Sequence, residues 1–590
     1  MAADLILTAA SIITMDDRNP RVQALAIDTS TGAIVAAGTH DECAAAAPGA
    51  TVQDLGDSVL MPGFIDPHNH PALSGITTQA PCHWIAPYVG YPTFADVEEL
   101  FRKLDAETPA GQALFLNGLD RLLQGAPDLD RSQMDGYFPT RPVAIIDNSA
   151  HQLYFNTAAT ALVGWKDATP PPDPTGARFG RMADGTSDGR AYETAAIAAV
   201  MLPVLKAVVQ HPLQSVGSWF RSMAANGITT SSEHFYTTQM LKGYAAISTV
   251  PNCLLRIALY HVATAPDATE PLPMQVDETM LWKRGVKLWA DGSPWTGTMA
   301  ASFPYLQNEV TETAQIPAGP GGEAMMNYTR TEFDAALAPL APLDWQVAVH
   351  VNGDVGIDVV LDAFERALDG AGKLGSDHRW RLEHCGAGRG DQFQRAARMG
   401  ATVSFLAGHF TYFGDILDGT LFEPWIGSQW VRGADAVKSG MVMSLHNDGS
   451  VSPPIPLLNI QGMVTRCTPS GTLHGPQQAI SMHDALKAHT VNAAWQLGRE
   501  HDLGSLAVGK LADLVELSAD PYAVDPHHLT DEVTVRSTWH GGRKLDPDAF
   551  MAAMAAMDQA EHQALVEHAA THQRCCGHGG PAKTGPAHAH

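Results

Sequence analysis

Six side chains spread along the sequence could together do metal chemistry. His68 and His70 close the stretch MPGFIDPHNH, His350 closes WQVAVH, His384 closes RWRLEH, Asp448 closes MVMSLHND, and Lys287 lies in GVKLWADGS. Alternate residues of a strand face the same side, so His68 and His70 can hold one ion together. Singly, a histidine at a strand end is most often a satisfied core residue, and an aspartate there is most often a cap or turn residue. Together, four histidines and an aspartate at four strand ends make a nitrogen- and oxygen-rich donor set. Such a set suits zinc or a similar transition metal. It is thin for two divalent ions, because a bridging anion is missing.

Lys287 is a charged amine in the apolar half of a strand, and a buried ammonium is costly unless paired, neutralised or chemically altered. Three readings stand. Lys287 pairs with Asp291 or another carboxylate; it forms a Schiff base with substrate and needs no metal; or it reacts with carbon dioxide. The resulting carbamate is anionic, has two oxygens and can bridge two cations. The histidines favour the third reading.

These residues need elements to position them. Residues 1–58 alternate in strand fashion with Gly and Asp/Asn turns, which suggests a small β unit. From residue 59 to 504 apolar strands alternate with Ala-rich helical stretches. RPVAIIDNS, GITTSSE, LLRIALY, GVKLWAD, WQVAVHVNG, RWRLEHCG, ATVSFLAG and MVMSLHNDG read as strands, and VGIDVVLDAFERALDGA and DQFQRAARMG as helices. This order implies an α/β fold with a parallel sheet, most economically a (β/α)₈ barrel, whose chemistry sits at the C-terminal strand ends. Residues 75–135 and 262–282 read as insertions. Short strands return at 505–548 and could complete the N-terminal β unit as a discontinuous domain. Residues 549–590 read as a helix, then a low-complexity tail containing Cys575, Cys576 and several histidines.

The net charge of −26 argues against nucleic acid or an anionic membrane as partner. No apolar run approaches the roughly 20 residues of a membrane helix, and the N-terminus lacks the pattern of a secretion signal. The seven cysteines are scattered, without a CxxC pair. The expectation is a cytoplasmic protein with a small-molecule substrate.

The stretches MPGFIDPHNH, VKLWADGS, VAVHVNGDVGID, RLEHCGAGRGDQ, SLHNDGSVSPPIPL, HTVNAAWQLG and GSLAVGKLADLVELSADP follow one another in an order that resembles the amidohydrolase superfamily. The resemblance is to its family 3 branch, which holds N-substituted formamide deformylase-like and YtcJ-like proteins. It implies a metal-bearing barrel plus a urease-type β-sandwich built from both chain ends. It also implies two divalent metal ions, zinc foremost, on His68, His70, carboxylated Lys287, His350, His384 and Asp448. Relatives of this type often pair, so a homodimer is compatible with it. Two stretches depart from the family pattern, Gly449-Ser450-Val451 after Asp448 and SPWTGTMAAS after the lysine strand. Both fall where substrate would bind.

The expected reaction is hydrolysis of an amide, formamide or N-acyl C–N bond by a metal-bridging hydroxide. Asp448 would take its proton and pass it to the leaving nitrogen. His409 in FLAGHFTYFGD and His446 beside Asp448 are candidates to hydrogen-bond a developing oxyanion or the substrate. Trp84, Trp295, Phe405 and Tyr412 are candidates to line a partly apolar pocket. Glu383 precedes His384 and is expected to point away from the metal. A lyase, isomerase or hydratase on the same metals is the alternative, and a non-catalytic regulatory protein on this scaffold is a further one.

Overall fold

The computed structural model describes residues 3–150, 152–174, 177–192 and 194–557. Eight parallel strands form its centre, in the spatial order of the chain. They are β1 (Phe64–Asp66), β2 (Ile228–Tyr236), β3 (Arg256–Val262), β4 (Leu281–Trp289), β5 (Gln346–Val351), β6 (Arg381–His384), β7 (Thr402–Leu406) and β8 (Met443–His446). Each pairs in parallel with the next. The ring nearly closes. The residues just after β8 are tied to those of β1 by Asn447 N–H to Asp66 Oδ1 (3.2 Å) and Asp448 N–H to the His68 carbonyl (3.2 Å).

Strands buried on both faces become near-continuous apolar runs, as in VAVHV of β5. The helices outside show one apolar stripe. In Asp354–Gly370 the buried residues include Ile357, Val360, Leu361, Phe364 and Leu368, at the three- and four-residue spacing of one helix face. The helix Gly390–Met399 buries Phe393, Ala396 and Met399 and stops at Gly400, whose φ of 81° suits a residue without Cβ.

Two further sheets surround the barrel. Leu5–Ile13, Arg21–Asp28, Ala33–Gly38, Thr51–Asp54 and Val59–Pro62 share one eight-stranded sheet with Leu514–Leu517, Val535–His540 and Arg543–Lys544. Val59–Pro62, placed by the sequence reading at the start of the barrel segment, pairs antiparallel with Leu514–Leu517 and belongs to this outer sheet. A bulge between Thr8 and Ile12 lets the first strand pair with Thr51–Asp54 and then with Val59–Pro62. The sheet is tied to the foot of the barrel by Asp513. It receives Arg256 Nε (2.6 Å) and Nη2 (3.0 Å) and the Gly541 N–H (2.9 Å).

The second sheet lies between β1 and β2 and is larger than the expected insertion. Six strands, from His83–Trp84 to Ser187–Tyr192, form it. The stretch RPVAIIDNS, expected in the barrel, supplies its strand Val143–Asp147 instead. It pairs with Leu114–Leu119 and Gln152–Phe155. The expected C-terminal helix is present as Pro547–Ala555; its continuation and the Cys575–Cys576 tail lie outside the described residues. Among the described residues no single helix is long and apolar enough to cross a membrane.

Candidate metal centre and active site

The C-terminal strand ends bring five of the expected ligands around Asp448. Its Oδ1 lies 3.2 Å from His70 Nε2 and 3.4 Å from His68 Nε2, and its Oδ2 lies 3.8 Å from His384 Nδ1. Lys287 Nζ is 3.4 Å from the same His68 Nε2. The His350 and His384 rings meet edge to face with centroids 4.5 Å apart. Tetrahedral ligands about 2.1 Å from one zinc ion stand about 3.4 Å from one another. The pairs on Asp448 Oδ1 match that spacing, and the donor atoms of His68, His70 and Asp448 all lie within 4.8 Å of one another. The donors fit a divalent metal.

Protonation states agree with this fit. Burial, together with the neighbouring histidines and Lys287, pushes His68 and His384 well below the ordinary imidazole value. Burial and then Lys287 take His350 down to about 3. A metal ligand must be a neutral imidazole. Burial alone would raise the Asp448 carboxyl, but before a metal displaces the proton of His70, its hydrogen bond and charge, with His446 and Lys287, outweigh burial and hold the carboxyl at about 2. Asp448 is therefore a carboxylate.

Tight turns place these groups. Asp66 at the end of β1 accepts the side-chain amides of Asn69 (2.8 Å) and Asn447 (3.0 Å), which fixes the HNH turn against the HND turn. Lys287 points into the barrel from β4, with Trp289 two residues on. Asp291, the partner considered for it, is engaged by the backbone N–H groups of Ala300, Asn352 and Gly353. His350 Nε2 faces the Gly292 carbonyl (3.3 Å) and the Asn352 amide (3.2 Å).

Three expectations are corrected. Glu383 does not point away: its Oε2 accepts from His68 Nδ1 at 2.8 Å inside the barrel. The alternation of β6 runs through Arg381 and Glu383 facing inward. His384 reaches the site only because its backbone turns left-handed, with φ of 69°, followed by Cys385 at 49°. Phe405 is not at the mouth. Ser404 takes the inward position on β7, and Phe405 packs outward on Phe393, centroids 5.6 Å apart. His446 is fully buried beneath the site rather than facing substrate. Its Nδ1 meets Ser404 Oγ (2.7 Å), and its Nε2 meets His384 Nδ1 (3.1 Å).

None of the remaining candidates is among the residues that line the cavity over the donors. His409 is buried, its ring edge-on to Trp295 (5.0 Å) and 6.1 Å from His384. Burial lowers it to about 4, and its Nδ1 makes no hydrogen bond within the protein. Trp295 stacks on Phe413 and lines a neighbouring cleft with Asp120, Asn148 and Ser149. Trp84 packs on Trp219, and Tyr412 on Tyr88. The cavity over the donors is walled by Leu73, Ile146, Ala150, Trp289 and Val451 and by the polar Asn117, Asp147, Asn148 and Ser450. About half of this wall comes from the inserted sheet, and those residues carried no barrel-end signal in the sequence. Also unforeseen are Glu233, whose Oε1 lies 3.4 Å from His70 Nδ1, and His234, which stacks on His68 at 4.0 Å. Both sit on β2, in SEHFY.

The amidohydrolase family profile matches residues 51–545. The chain is 26% identical to an N-substituted formamide deformylase of Arthrobacter pascens, over 88% of this chain and 94% of that protein. It is 24% identical to the putative amidohydrolase YtcJ of Bacillus subtilis (strain 168), over 88% of this chain and 95% of that protein. Its fold is similar to that of an uncharacterized metal-dependent hydrolase from Pyrococcus horikoshii OT3. The TM-score is 0.68 at 21% identity, covering 89% of this chain and 99% of that one.

Proposed function

Because the chain belongs to the amidohydrolase family, we propose that it is a metal-dependent hydrolase of a non-peptide C–N bond in a small, partly apolar amide, formamide or N-acyl amine. The observation that carries this reading is the convergence of His68 and His70 on the Asp448 carboxylate, with Lys287 against His68, under a cavity of mixed polarity. In this proposal His68, His70, His350, His384, Asp448 and a carbon dioxide-derived carbamate on Lys287 hold two divalent ions, zinc foremost. Such ions supply Lewis acidity and make water acidic enough to attack near neutral pH.

The chain's own groups do the rest. Asp448 is charged and lies at the floor of the cavity, so it can accept the proton of the attacking water and deliver it to the leaving nitrogen. His409 is neutral and has a ring nitrogen without a protein partner. It can donate to the oxygen on which charge develops. Leu73, Ile146, Trp289 and Val451 exclude water and receive the apolar part of the substrate, with Asn117 and Asn148 at the polar edge. Trp295 lines a neighbouring cleft that shares Asp147, Asn148 and Ser149 with this cavity, so a longer substituent can reach it.

The test is a panel of N-formyl and N-acyl amines with protein stripped by chelator and then reloaded with zinc. The expected outcome is equal release of carboxylate and amine, lost on stripping and restored on reloading. Turnover unaffected by stripping, or products that retain the C–N bond, would refute the proposal.

A further inference from the structure

Arg381, Glu383 and His68 form a line of fully buried groups under the metal centre. Arg381 Nε donates to Glu383 Oε1 at 2.5 Å, and His68 Nδ1 donates to Glu383 Oε2 at 2.8 Å. The guanidinium is fastened on its other sides. Nη2 donates to the Pro67 carbonyl (3.0 Å) and meets His234 Nε2 (3.0 Å), and Nη1 donates to Gln496 Oε1 (3.3 Å). An arginine does not deprotonate in a protein, so a buried one needs an anion beside it, and Glu383 is that anion. An ionised carboxylate only accepts hydrogen bonds. The facing ring nitrogen of His68 must therefore carry the proton. In a neutral ring the lone pair is then on Nε2, the nitrogen aimed at Asp448 Oδ1 and Lys287 Nζ.

We propose that Glu383, neutralised by Arg381, is a positioning residue that fixes the tautomer and tilt of His68 and so presents Nε2 as a ready metal ligand. The same arginine anchors the carbonyl of Pro67, the residue before His68. Ser232 Oγ also donates to that carbonyl (2.7 Å). Backbone and ring of one ligand are thus set by one buried pair. A carboxylate behind a ligating histidine raises the basicity of the ring, and losing such a partner typically costs about 10–100-fold in metal affinity.

The inference rests on the reading of His68 as a ligand given above. The experiment is a thermodynamic cycle on zinc affinity, measured by competition with a chromophoric chelator, in the parent, Glu383→Gln, His68→Ala and the double variant. Circular dichroism and thermal unfolding of the metal-free proteins run alongside. The expected result is a loss of about 10–100-fold in Glu383→Gln with folding retained, and no further loss when Glu383→Gln is added to His68→Ala. Should Glu383→Gln alone fail to fold, the pair Glu383→Gln/Arg381→Gln, which removes both buried charges, replaces it in the cycle. Additive losses, or parental affinity in folded Glu383→Gln, would overturn the proposal while leaving the metal centre intact. A parent without zinc affinity would remove the metal-centre reading and this inference with it.

Discussion

Asp448→Asn separates chemistry from assembly. The substitution keeps the shape and one oxygen, but removes the charge and the ability to hold a proton. Asp448 Oδ1 lies within 3.4 Å of the Nε2 atoms of both His68 and His70, and the carboxyl is ionised far below neutral pH. In the proton-accepting role proposed for it, it would account for a factor of about 10²–10⁴, or about 2.7–5.4 kcal/mol of barrier. Its oxygen can still serve as a ligand, and the other proposed donors are untouched, so most of the metal should stay. The assay is initial rate at saturating substrate, using the best amide of the panel, with elemental mass spectrometry on the same sample. The expected result is kcat lower by at least about a hundredfold at nearly unchanged metal content. A folded, metal-loaded variant within about tenfold of the parent would refute the role given to Asp448, since proton transfer by a positioned base is worth more than that.

Two further outcomes follow from the geometry. Lys287→Ala should lower metal per chain and abolish any carbamate carbon-13 resonance seen after equilibration with labelled bicarbonate; an unchanged metal content would return Lys287 to an ion-pair or Schiff-base role. Asp513→Ala should cost about 3–5 kcal/mol in chemical denaturation, because it leaves the buried Arg256 uncompensated. Burial raises the Asp513 carboxyl, but Arg256 and His540 outweigh it and hold it at about 2, below its ordinary 3.8. A depressed folded value stabilises above the unfolded one. About 2 kcal/mol should therefore be present above pH ~4 and lost as pH falls through ~2, a loss absent from the variant.

The barrel was legible because its strands are short apolar runs that end in polar residues, and because βα alternation leaves few other architectures. What the runs do not encode is which sheet they join. VAIID at 143–147 is as fully buried as VAVHV in β5, yet it belongs to the inserted sheet. That the expected donors come together was legible from their positions at strand ends. Their second partners were less so, because period-two counting needs a correct anchor. Taking His384 as the inward residue of β6 sends Glu383 outward. The left-handed turn at His384 reverses that assignment, and no residue type in RLEHCG announces it. On β7 the same counting, anchored on Ser404, would have sent Phe405 outward correctly.

The donors and about half of the wall above them come from different stretches of chain. The donors rise from barrel strands whose feet are packed and whose turns are cross-bonded through Asp66. That half of the wall is the inserted sheet, held over the site by Tyr88, which donates to the Val451 carbonyl, and by Asn117, which donates to Ser450 Oγ (3.2 Å). Both acceptors lie in the turn just after Asp448. A change in the inserted sheet can therefore reshape the cavity and shift that turn without touching a donor. Such a change would act first on KM and on the ranking of substrates, and metal content would hold. Because about half of the cavity wall comes from the inserted sheet and the rest from barrel residues beside the expected donors, sequence change in the insertion alone can alter the cavity while the donor set stays as it is.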